Sequence, residues 1–332
     1  MRKPSSKPLR LLVCGGAGYI GSHMCKLLAE HGHEVAVVDN LSTGHAEAVR
    51  WGELHVGDIG DSALLDRVFS DFRPEGVLHF AGKSIVEESI TDPASYYLNN
   101  FSSSLKLFEQ VRKIPDCPVI FSSTAAIFGE PQSDQITEAH PKYPINAYGR
   151  SKLAVEQLLQ DYWTAYSMPS MCFRYFNAAG ADPAGNIGEA HHPETHLIPR
   201  VFDSILGVAG AVKVFGNDYG TPDGTCVRDF VHVEDLCNAH LLGIEFLKDR
   251  HAALTFNLGN GVGFSVMEVL KAAQNITGIA VPYQFTGRRP GDSPRLVADS
   301  SAAREYLGWT PQYTELPHIM KTAWNWHRDR KF

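Results

Sequence analysis

Two side chains with the spacing of a catalytic pair stand in the stretch "INAYGRSK", where Tyr148 and Lys152 are four residues apart. The stretch opens a segment with helical spacing, so both side chains lie on one face of a helix. A phenol has a pKa of about 10 and is a poor base at neutral pH, but a neighbouring ammonium favours its ionised form. The pair therefore indicates a tyrosine that takes a hydroxyl proton while hydride leaves the same carbon.

A hydroxyl at the end of a strand supports this interpretation. The segment "FSST" closes a predicted strand at Thr124. Open α/β sheets bind their ligands at the carboxyl ends of the strands. The Thr124 hydroxyl is therefore placed to relay a proton between a substrate and Tyr148. The YxxxK spacing alone occurs by chance on many helices, so the interpretation depends on a cofactor site elsewhere in the chain.

A glycine-rich segment predicts that cofactor site. In "LLVCGGAGYIG", Gly15, Gly18 and Gly21 follow the first predicted strand directly. Such glycines permit a tight turn and a close approach of the backbone to a pyrophosphate, which the next helix receives at its N-terminus. Asp39 ends the second predicted strand, at roughly the 20-residue separation of a carboxylate that binds ribose hydroxyls. This carboxylate, with no Arg or Lys just after it, favours NAD over NADP, and Asp58 in "GDI" is predicted near the adenine.

The elements that carry these residues alternate between short β-rich runs and longer helical patterns. Alternation of this kind predicts an α/β fold of the doubly wound Rossmann type, a parallel sheet with helices on both faces. The predicted strands are Leu9–Cys14, Glu34–Val38, Val77–Phe80, Pro118–Ser122 and Met171–Tyr175, and the predicted helices are Tyr19–His31, Ser62–Phe72, Ser95–Lys113 and Ala147–Tyr166.

After Asn177 the pattern changes, because the loops become longer and rich in Gly, Pro and Asp. We expect an NAD-binding Rossmann domain over residues 1–176, with some later elements returning to it, and a smaller α/β substrate domain over residues 177–332. The shorter predicted elements of this second part are Val201–Gly207, Val233–Leu247, Phe256–Leu258, Val266–Thr277 and Ser301–Leu307.

Composition excludes several classes of protein. The net charge of −7 disfavours a nucleic-acid partner, which would require a basic surface. No apolar run approaches the roughly 18 residues that span a membrane. The six cysteines lack CxxC spacing, and several lie in apolar runs, which fits a reducing compartment. We therefore expect a cytoplasmic protein.

The histidines of "HHPETH" are the one group that suggests a metal. His191, His192 and His196 are close in sequence, but Pro193 interrupts the segment and the segment lies in a loop. We expect these histidines to be solvated or to face the substrate, and we expect no metal site.

Longer segments carry a resemblance to a known family. They are "GGAGYIGSH", "HFAGKSIVEES", "YYLNN", "FSSTAAIFGE", "YGRSKLAVEQ", "RYFNAAGADP", "FGNDYGTPDGTCVRDFVHVEDL" and "FNLGNGVG". Together they resemble the UDP-glucose 4-epimerases, which are extended members of the short-chain dehydrogenase/reductase superfamily. The resemblance runs from about Leu9 to Trp326. The glycine and YxxxK motifs identify only the superfamily, whereas "RYFNAAGADP" and "FGNDYGTPDGTCVRDFVHV" are more specific.

The resemblance implies an activity. It implies interconversion of UDP-galactose and UDP-glucose through a 4-keto intermediate, with tightly bound NAD recycled in each turnover. Tyr148 would remove the 4-hydroxyl proton, Thr124 would relay it, and Lys152 would contact the nicotinamide ribose and stabilise the phenolate. The resemblance also implies a homodimer formed through the helices predicted at Ser95–Lys113 and Ala147–Tyr166.

The resemblance further implies two sets of binding residues. The cofactor set is Gly15, Gly18, Tyr19, Ile20, Gly21, Asp39, Asn40, Asp58, Ile59, Phe80, Ala81, Lys83, Asn99, Tyr148, Lys152 and Tyr175. The substrate set is Thr124, Tyr148, Asn177, His196, Leu197, Phe215, Arg228, Arg289, Asp292 and Leu296. Paired arginines in the second set suit a diphosphate, which accepts bidentate guanidinium donors.

Four positions depart from the pattern of the family. Thr124 stands where serine is common, and either residue supplies a hydroxyl. Lys83 precedes Ser84 where many relatives carry lysine second, and His196 replaces a common asparagine. Leu296 stands where some relatives carry a large tyrosine that resembles a gate against N-acetylated sugars. These departures leave UDP-N-acetylglucosamine and UDP-xylose or UDP-arabinose as alternative substrates.

Three other functions remain as alternatives. A nucleotide-sugar dehydratase typically carries an Asp–Glu pair after the threonine, but Ala125 and Ala126 follow Thr124 here. A net NAD-dependent reductase would require free exchange of the cofactor. A catalytically silent NAD-binding regulator usually loses the tyrosine or the lysine, and this chain retains both Tyr148 and Lys152.

Overall fold

A computed structural model of the protein describes residues 7–289 and 291–332. The chain divides into two compact units, and each unit comprises three segments. The first unit contains the chain up to Ile127 together with Pro144–Arg174 and Cys237–Phe256. The second contains Phe128–Tyr143, Tyr175–Leu236 and Asn257–Phe332. Each unit is therefore assembled from separate parts of the sequence.

The regular elements follow one another in this order: β1 Arg10–Cys14, α1 Tyr19–Glu30, β2 Glu34–Asp39, β3 Glu53–Val56, α2 Ser62–Phe72, β4 Gly76–His79, α3 Val86–Thr91, α4 Pro93–Tyr96, α5 Ser103–Val111, β5 Val119–Thr124, α6 Ala147–Tyr166, β6 Ser170–Tyr175, β7 Asn177–Ala179, α7 Leu197–Ile205, β8 Val212–Phe215, β9 Val227–His232, α8 Val233–Asp249, β10 Ala253–Leu258, β11 Gly263–Ser265, α9 Val266–Thr277, β12 Tyr283–Thr286, β13 Arg295–Leu296, α10 Ser301–Leu307 and α11 Leu316–Arg328.

The first unit is built on a seven-stranded sheet in the order β10-β6-β5-β4-β1-β2-β3. Strand β1 pairs in parallel with β2 and β4, β2 with β3, and β4 with β5. The α/β doubly wound fold predicted from the sequence is confirmed. The strands β1, β4 and β5 and the helices α2, α5 and α6 bury a shared apolar core that includes Leu12, Val77, Phe108, Phe121 and Leu159.

One helix that was predicted as continuous is interrupted in the structure. The segment predicted as a single helix, Ser95–Lys113, is divided into α4, a π-helical turn at Tyr97–Ser102, and α5. Within this turn, Asn100 donates to Ser151 Oγ at 3.1 Å and its carbonyl oxygen accepts from Ser104 Oγ at 2.6 Å. A π-turn is rare and frequently marks a functional site, and side-chain bonds of this kind cannot be read from helical spacing.

A second prediction is wrong in its starting point. The helix predicted at Val201–Gly207 begins earlier, as α7 at Leu197. Pro199 is the third residue of this helix, and the first-turn amides of a helix have no partner within it. A proline there costs no hydrogen bond, so it does not mark the boundary that the sequence suggested.

The second unit contains short strands of mixed direction. Strand β9 pairs in parallel with β7 and β13 and antiparallel with β11, while β8 pairs in parallel with β12. The helices α7, α9 and α11 pack on a separate apolar core that includes Val201, Phe202, Phe230, Val269 and Ile319.

The structure shows the state of the cysteines and whether its helices could cross a membrane. All six cysteines are buried and free. Among residues 7–289 and 291–332, no helix combines the length and the apolar character needed to cross a membrane.

A buried ion pair joins β6 to α6 inside the first unit. Arg174 Nη2 donates to Glu156 Oε2 at 2.6 Å and Arg174 Nε donates to Glu156 Oε1 at 2.9 Å. The side chains are 5% and 6% exposed, and Ser123 Oγ also donates to Glu156. Because both charges are desolvated, each depends on the other for compensation.

Removing one partner of this pair should destabilise the protein strongly. We expect Glu156→Ala to lower the free energy of unfolding by about 3–5 kcal/mol, because it removes the carboxylate that forms the ion pair with the buried Arg174 charge. The double variant Glu156→Leu/Arg174→Met should recover most of the loss. Denaturant unfolding of the three proteins checks this expectation, and additive losses in the double variant would contradict it.

Candidate active site

The turn between β1 and α1 has no room for side chains at two glycines. Gly15 has φ of +84°, and a Cβ there would lie 2.5 Å from the amide nitrogen of Ala81. A Cβ on Gly21 would overlap the carbonyl oxygen of Gly15. The Gly15 amide also donates to the Val38 carbonyl at 2.9 Å, which ties the turn to the end of β2. These contacts explain why glycine occupies both positions.

The N-terminus of α1 has donors available for an anion. Gly18 is the N-cap of α1, and no side chain among the described residues caps it. The first amides of the helix therefore point outward with the positive end of the helix dipole. Tyr19 and Ile20, both predicted to bind the cofactor, form this first turn. An uncapped helix start behind a glycine turn fits a pyrophosphate.

Two carboxylates lie at the ends of neighbouring strands. Asp39 Oδ2 accepts from the Ala17 amide at 2.9 Å and Asp39 Oδ1 accepts from the Leu41 amide at 2.8 Å. Asn40 Nδ2 donates to Asp58 Oδ2 at 2.9 Å, just beyond the end of β3. The structure thus brings Asp39, Asn40 and Asp58 to the edge of the sheet that holds the glycine turn. The donor and acceptor set fits the adenosine part of a dinucleotide.

The remaining predicted cofactor residues near β3 and β4 differ in their surroundings. The Ile59 side chain is buried in the apolar core of the first unit, so only its backbone can face a ligand. The amides of Phe80 and Ala81 donate to the Cys14 carbonyl at 2.8 and 3.0 Å, and the Phe80 ring packs on His240. These two residues therefore line the end of β1 directly.

Lys83 is engaged by the protein itself. Its Nζ donates to Glu88 Oε1 at 2.8 Å and to Ser95 Oγ at 3.3 Å. Its amide donates to the side-chain oxygens of Asn99 and Asn100, at 3.0 and 2.8 Å. Asn100 is a positioning residue that the sequence interpretation missed. Its signal was the "NN" pair, of which only Asn99 was singled out.

The hydroxyl groups of Thr124 and Tyr148 lie where β5 and α6 meet. Strand β5 ends at Thr124, two residues beyond the predicted end at Ser122, and α6 begins at Ala147 after the N-cap Asn146, whose side chain accepts from the Gly149 amide at 2.8 Å. A Cβ on Gly149 would lie 2.5 Å from the carbonyl oxygen of Ala126. This close approach brings the first turn of α6 against the segment after Thr124. Asn146 and Gly149 therefore position Tyr148, and both were missed from the sequence.

The chain alone keeps Tyr148 protonated. Burial raises the pKa of the Tyr148 phenol, while a hydrogen bond with Thr124 lowers it. Burial is the larger effect, so the pKa lies above its ordinary value. Thr124 thus interacts with Tyr148, as a proton relay requires.

Lys152 is a buried cation on the same helix. It is 4% exposed, its Nζ donates to the Ser122 carbonyl at 2.9 Å, and it lies 4.8 Å from the centre of the Phe121 ring. Burial lowers its pKa from 10.5 to about 8. The side chain therefore remains mostly an ammonium at neutral pH, at a cost in stability.

In the second unit the predicted substrate residues form two linked pairs. Arg228 Nη2 donates to Asp292 Oδ1 at 3.2 Å, and Leu296 is the strand partner of Arg228. The Arg289 guanidinium lies 4.2 Å from the centre of the Phe215 ring. A turn in which the Asp292 amide donates to the Arg289 carbonyl joins the two pairs.

Asn177 and Tyr175 lie where β6 passes into β7. Tyr175 is the last residue of β6 and Asn177 the first of β7. Asn177 Nδ2 donates to the backbone carbonyl of Asp229 at 3.1 Å, and Asp229 directly follows Arg228 in the chain. Asn177 therefore belongs to the same unit as the two arginines.

The loop before α7 gathers charged side chains. His196 is the N-cap of α7 and Leu197 its first residue. His191 and His196 lie next to Glu189 and Glu194, whereas His192 is exposed. Burial lowers the pKa of His191, but the neighbouring carboxylates of Glu189 and Glu194 outweigh it and raise that pKa to about 9.

The fold and this arrangement define a class. A Rossmann-type sheet with a glycine turn, a carboxylate at the end of the second strand, and a Thr–Tyr pair near a buried lysine is typical of a dinucleotide-dependent enzyme of the short-chain dehydrogenase/reductase type. Residues 11–259 match the NAD dependent epimerase/dehydratase family, and the chain belongs to that family.

Relatives resemble the chain over nearly its whole length. A UDP-glucose 4-epimerase of Rhizobium leguminosarum bv. trifolii is 49% identical over 96% of this chain and 97% of the relative. The crystal structure of UDP-glucose 4-epimerase from Brucella ovis in complex with NAD has a TM-score of 0.93 and 46% identity, covering 95% of this chain and 97% of that one. The UDP-glucose 4-epimerase from Bifidobacterium longum in complex with NAD⁺ and UDP has a TM-score of 0.92 and 37% identity, covering 97% and 98%.

Neutralising Lys152 should stabilise the protein. The folded pKa of about 8 lies below the unfolded value of 10.5, so the charge opposes folding below pH 8 and the effect fades toward pH 10.5. We expect Lys152→Met to raise the free energy of unfolding at pH 7 by about 1–2 kcal/mol, after the lost hydrogen bond is counted.

Denaturant unfolding at pH 7 and pH 10 measures this effect. The gain should shrink at the higher pH, and the exposed control Lys321→Met should change little at either pH. A Lys152→Met protein less stable than wild type at pH 7 would contradict the account.

Proposed function

We propose that the protein catalyses the UDP-glucose 4-epimerase reaction, which interconverts UDP-galactose and UDP-glucose by inverting carbon 4 of the sugar. The observation that carries the proposal is the convergence of Thr124, at the end of β5, with Tyr148 in the first turn of α6, one helical turn before the buried Lys152. Relatives with this activity cover nearly the whole chain.

NAD is the cofactor that fits the first unit. Gly18 and the first turn of α1 would hold the pyrophosphate, and Asp39 would hold the adenosine ribose. Asp58 and Asn40 lie where the adenine would bind. Bound here, NAD⁺ would supply a hydride acceptor for carbon 4 and, once reduced, the hydride donor to the opposite face of the keto sugar. No cation follows Asp39 closely enough in sequence to favour a 2′-phosphate.

Tyr148 performs the proton transfer. Its phenolate oxygen takes the proton of the 4-hydroxyl. The same proton returns to the 4-keto oxygen after the keto sugar has rotated to present its other face. Thr124 shares a hydrogen bond with Tyr148 and relays the proton between sugar and phenol. Because burial opposes ionisation of Tyr148, the Lys152 ammonium is needed to favour the phenolate. Its buried position keeps that charge poorly screened.

The second unit supplies the residues for the uridine diphosphate. Arg228 and Arg289 provide guanidinium donors for the diphosphate, and Asn177 and Phe215 complete the nucleotide contacts. Asp292 holds Arg228 in place through an ion pair of 3.2 Å. Stacking of Arg289 on the Phe215 ring fixes the second guanidinium in the same way.

We propose that two residues that depart from the family pattern, Leu296 and His196, determine which sugar is accepted. Leu296 pairs with Arg228 in strand register, so it is held at a fixed position relative to that arginine. A leucine is smaller than the tyrosine of some relatives, so UDP-N-acetylglucosamine and UDP-pentoses are secondary candidates. His196 and Leu197 are proposed to face the sugar at the start of α7.

Dehydration is not supported by the residues after Thr124. Ala125–Ile127 forms a short 3₁₀ turn, and Ala125 and Ala126 carry no acid or base. Elimination of water would need carboxylates at these positions, so epimerisation is the function that the side chains support.

We also propose a homodimer in the cytoplasm. Exposed apolar side chains on the π-turn and on α6 support the dimer, with Leu98 65% and Tyr166 54% exposed. An apolar surface of this kind is more typical of an interface than of a solvated face. Six free, buried cysteines support a reducing compartment.

The proposed function predicts activity without added cofactor. We expect purified protein incubated with UDP-galactose to form UDP-glucose, and to act more slowly on UDP-N-acetylglucosamine and UDP-xylose, as separated by chromatography. Tyr148→Phe should reduce kcat at least about 10²-fold while bound NAD is retained, because only the proton acceptor is lost. The exposed control Tyr143→Phe should leave kcat unchanged.

Two outcomes would contradict the proposal. Full epimerase activity in Tyr148→Phe would remove the proposed base. Strict dependence on added NADH with net reduction of the sugar would instead indicate a reductase.

A further inference from the structure

The loop between β7 and α7 contains a cluster of metal-ligating side chains, of which the proposed function uses only His196. Glu189, His191, Glu194 and His196 each place one ligand atom within 4.8 Å of the others. His191 Nδ1 lies 3.3 Å from Glu189 Oε1 and 3.7 Å from Glu194 Oε2. His196 Nδ1 lies 2.9 Å from Glu189 Oε1 and 3.0 Å from Glu194 Oε1. Two imidazoles and two carboxylates thus converge on one point.

The backbone holds the first carboxylate of this Glu189–His191–Glu194–His196 cluster in place. The Trp326 indole Nε1 donates to the Glu189 carbonyl at 2.9 Å. A Cβ on Gly188 would overlap the Trp326 ring, so the loop packs directly on α11. The backbone of Glu189 is therefore held by α11, and its side chain starts from a fixed position.

The second carboxylate is fixed by the start of α7. Glu194 Oε1 accepts from the amides of Thr195 and His196 at 2.7 and 2.8 Å. Its other oxygen, Oε2, is buried and accepts no hydrogen bond from the described residues. The Glu194 side chain is 8% exposed, so this oxygen is removed from water and directed toward His191. A buried carboxylate oxygen in that position needs a partner.

Hydrogen bonds alone do not satisfy the arrangement. An imidazole Nδ1 carries at most one hydrogen. Each of the two Nδ1 atoms nevertheless faces oxygens of both Glu189 and Glu194. One hydrogen shared between two acceptors bonds each of them less well, whereas one cation at the centre would contact all four groups. The two side chains Glu189 and Glu194 are 5% and 8% exposed, and a divalent cation would balance their two charges.

We propose that Glu189, His191, Glu194 and His196 bind one divalent cation of the zinc class, with both histidines ligating through Nδ1. Zinc binds imidazole nitrogen and carboxylate oxygen in tetrahedral sites at about 2.0–2.2 Å, which sets ligand separations at roughly 3.3–3.6 Å. The observed nitrogen–oxygen separations of 2.9 to 3.7 Å bracket that range. Magnesium and calcium prefer all-oxygen ligands, so two imidazoles favour zinc.

The site would act on the structure of the loop. It ties the segment before α7 to the N-terminal residue of that helix. Ligation through Nδ1 leaves the Nε2 of His196 for another partner, so the cation would also orient the side chain that faces the sugar in the proposed function. This proposal departs from the expectation of no metal in "HHPETH", because it adds the carboxylates of Glu189 and Glu194 to the histidines as ligands. The inference stands on loop geometry and does not rest on the epimerase reaction.

Metal binding to the whole protein tests the inference. Purified protein freed of metal with a chelator is dialysed against ZnCl₂, and bound zinc is measured by plasma mass spectrometry. We expect saturation at one zinc per chain and a higher Tm in the presence of zinc, because a ligand that binds only the folded state stabilises it. Cobalt(II) in place of zinc should give the visible absorption of a four-coordinate site.

Matched variants locate the site. We expect His191→Ala to weaken zinc binding at least about 10-fold, since even residues that merely support a ligand affect affinity by that factor. His192→Ala, an exposed histidine of the same loop, should bind zinc as wild type does. Glu189→Gln keeps the shape of the buried side chain and should also weaken binding. Circular dichroism confirms that each variant is folded.

Either of two results would overturn the inference. The first is the absence of saturable zinc binding to the folded protein. The second is equal affinity in His191→Ala and His192→Ala, which would place the metal on surface histidines. Both results would leave epimerase activity unaffected, so this test is distinct from that of the proposed function.

Discussion

Helix α1 can follow β1 directly only because Gly15 and Gly21 carry no side chains. A Cβ on Gly21 would overlap the Gly15 carbonyl, and one on Gly15 would press on Ala81. This contact sets the start of α1 at the carboxyl end of β1, where its uncapped amides meet the Asp39 carboxylate that binds the Ala17 amide. Because the strands are parallel, Thr124 at the end of β5 reaches the same edge of the sheet.

A second close approach determines the chemistry at that edge. Gly149 lets α6 pack on the Ala126 carbonyl, which brings Tyr148 into hydrogen-bonding reach of Thr124. The same helix buries the Lys152 ammonium, and burial lowers its pKa. Burial also raises the pKa of Tyr148. The first unit therefore keeps a destabilising buried charge one helical turn from a phenol that burial keeps protonated.

Motifs formed by residues close together in the chain were predictable from the sequence. Contacts between residues far apart in the chain were not. Glycine spacing, the strand-ending Asp39 and the Tyr148–Lys152 pair depend on residues close together in the chain. Asn100 and Ile59 show the limit, because a π-turn positions one and the apolar core buries the side chain of the other. The sheet around β9 was missed because β7, β11 and β13 have only two or three residues, too few for an alternating pattern. The Glu189–His191–Glu194–His196 cluster was missed because a loop, with no periodicity, assembles it.

The central claim is that carbon 4 loses hydride and regains the same hydride while Tyr148 handles only the proton. The most direct measurement is the fate of deuterium in UDP-glucose labelled at carbon 4, followed by mass spectrometry and NMR during conversion in ordinary water. The account predicts that UDP-galactose retains the deuterium at carbon 4. Loss of the label to solvent would contradict it, because carbon 4 would then exchange a proton with water.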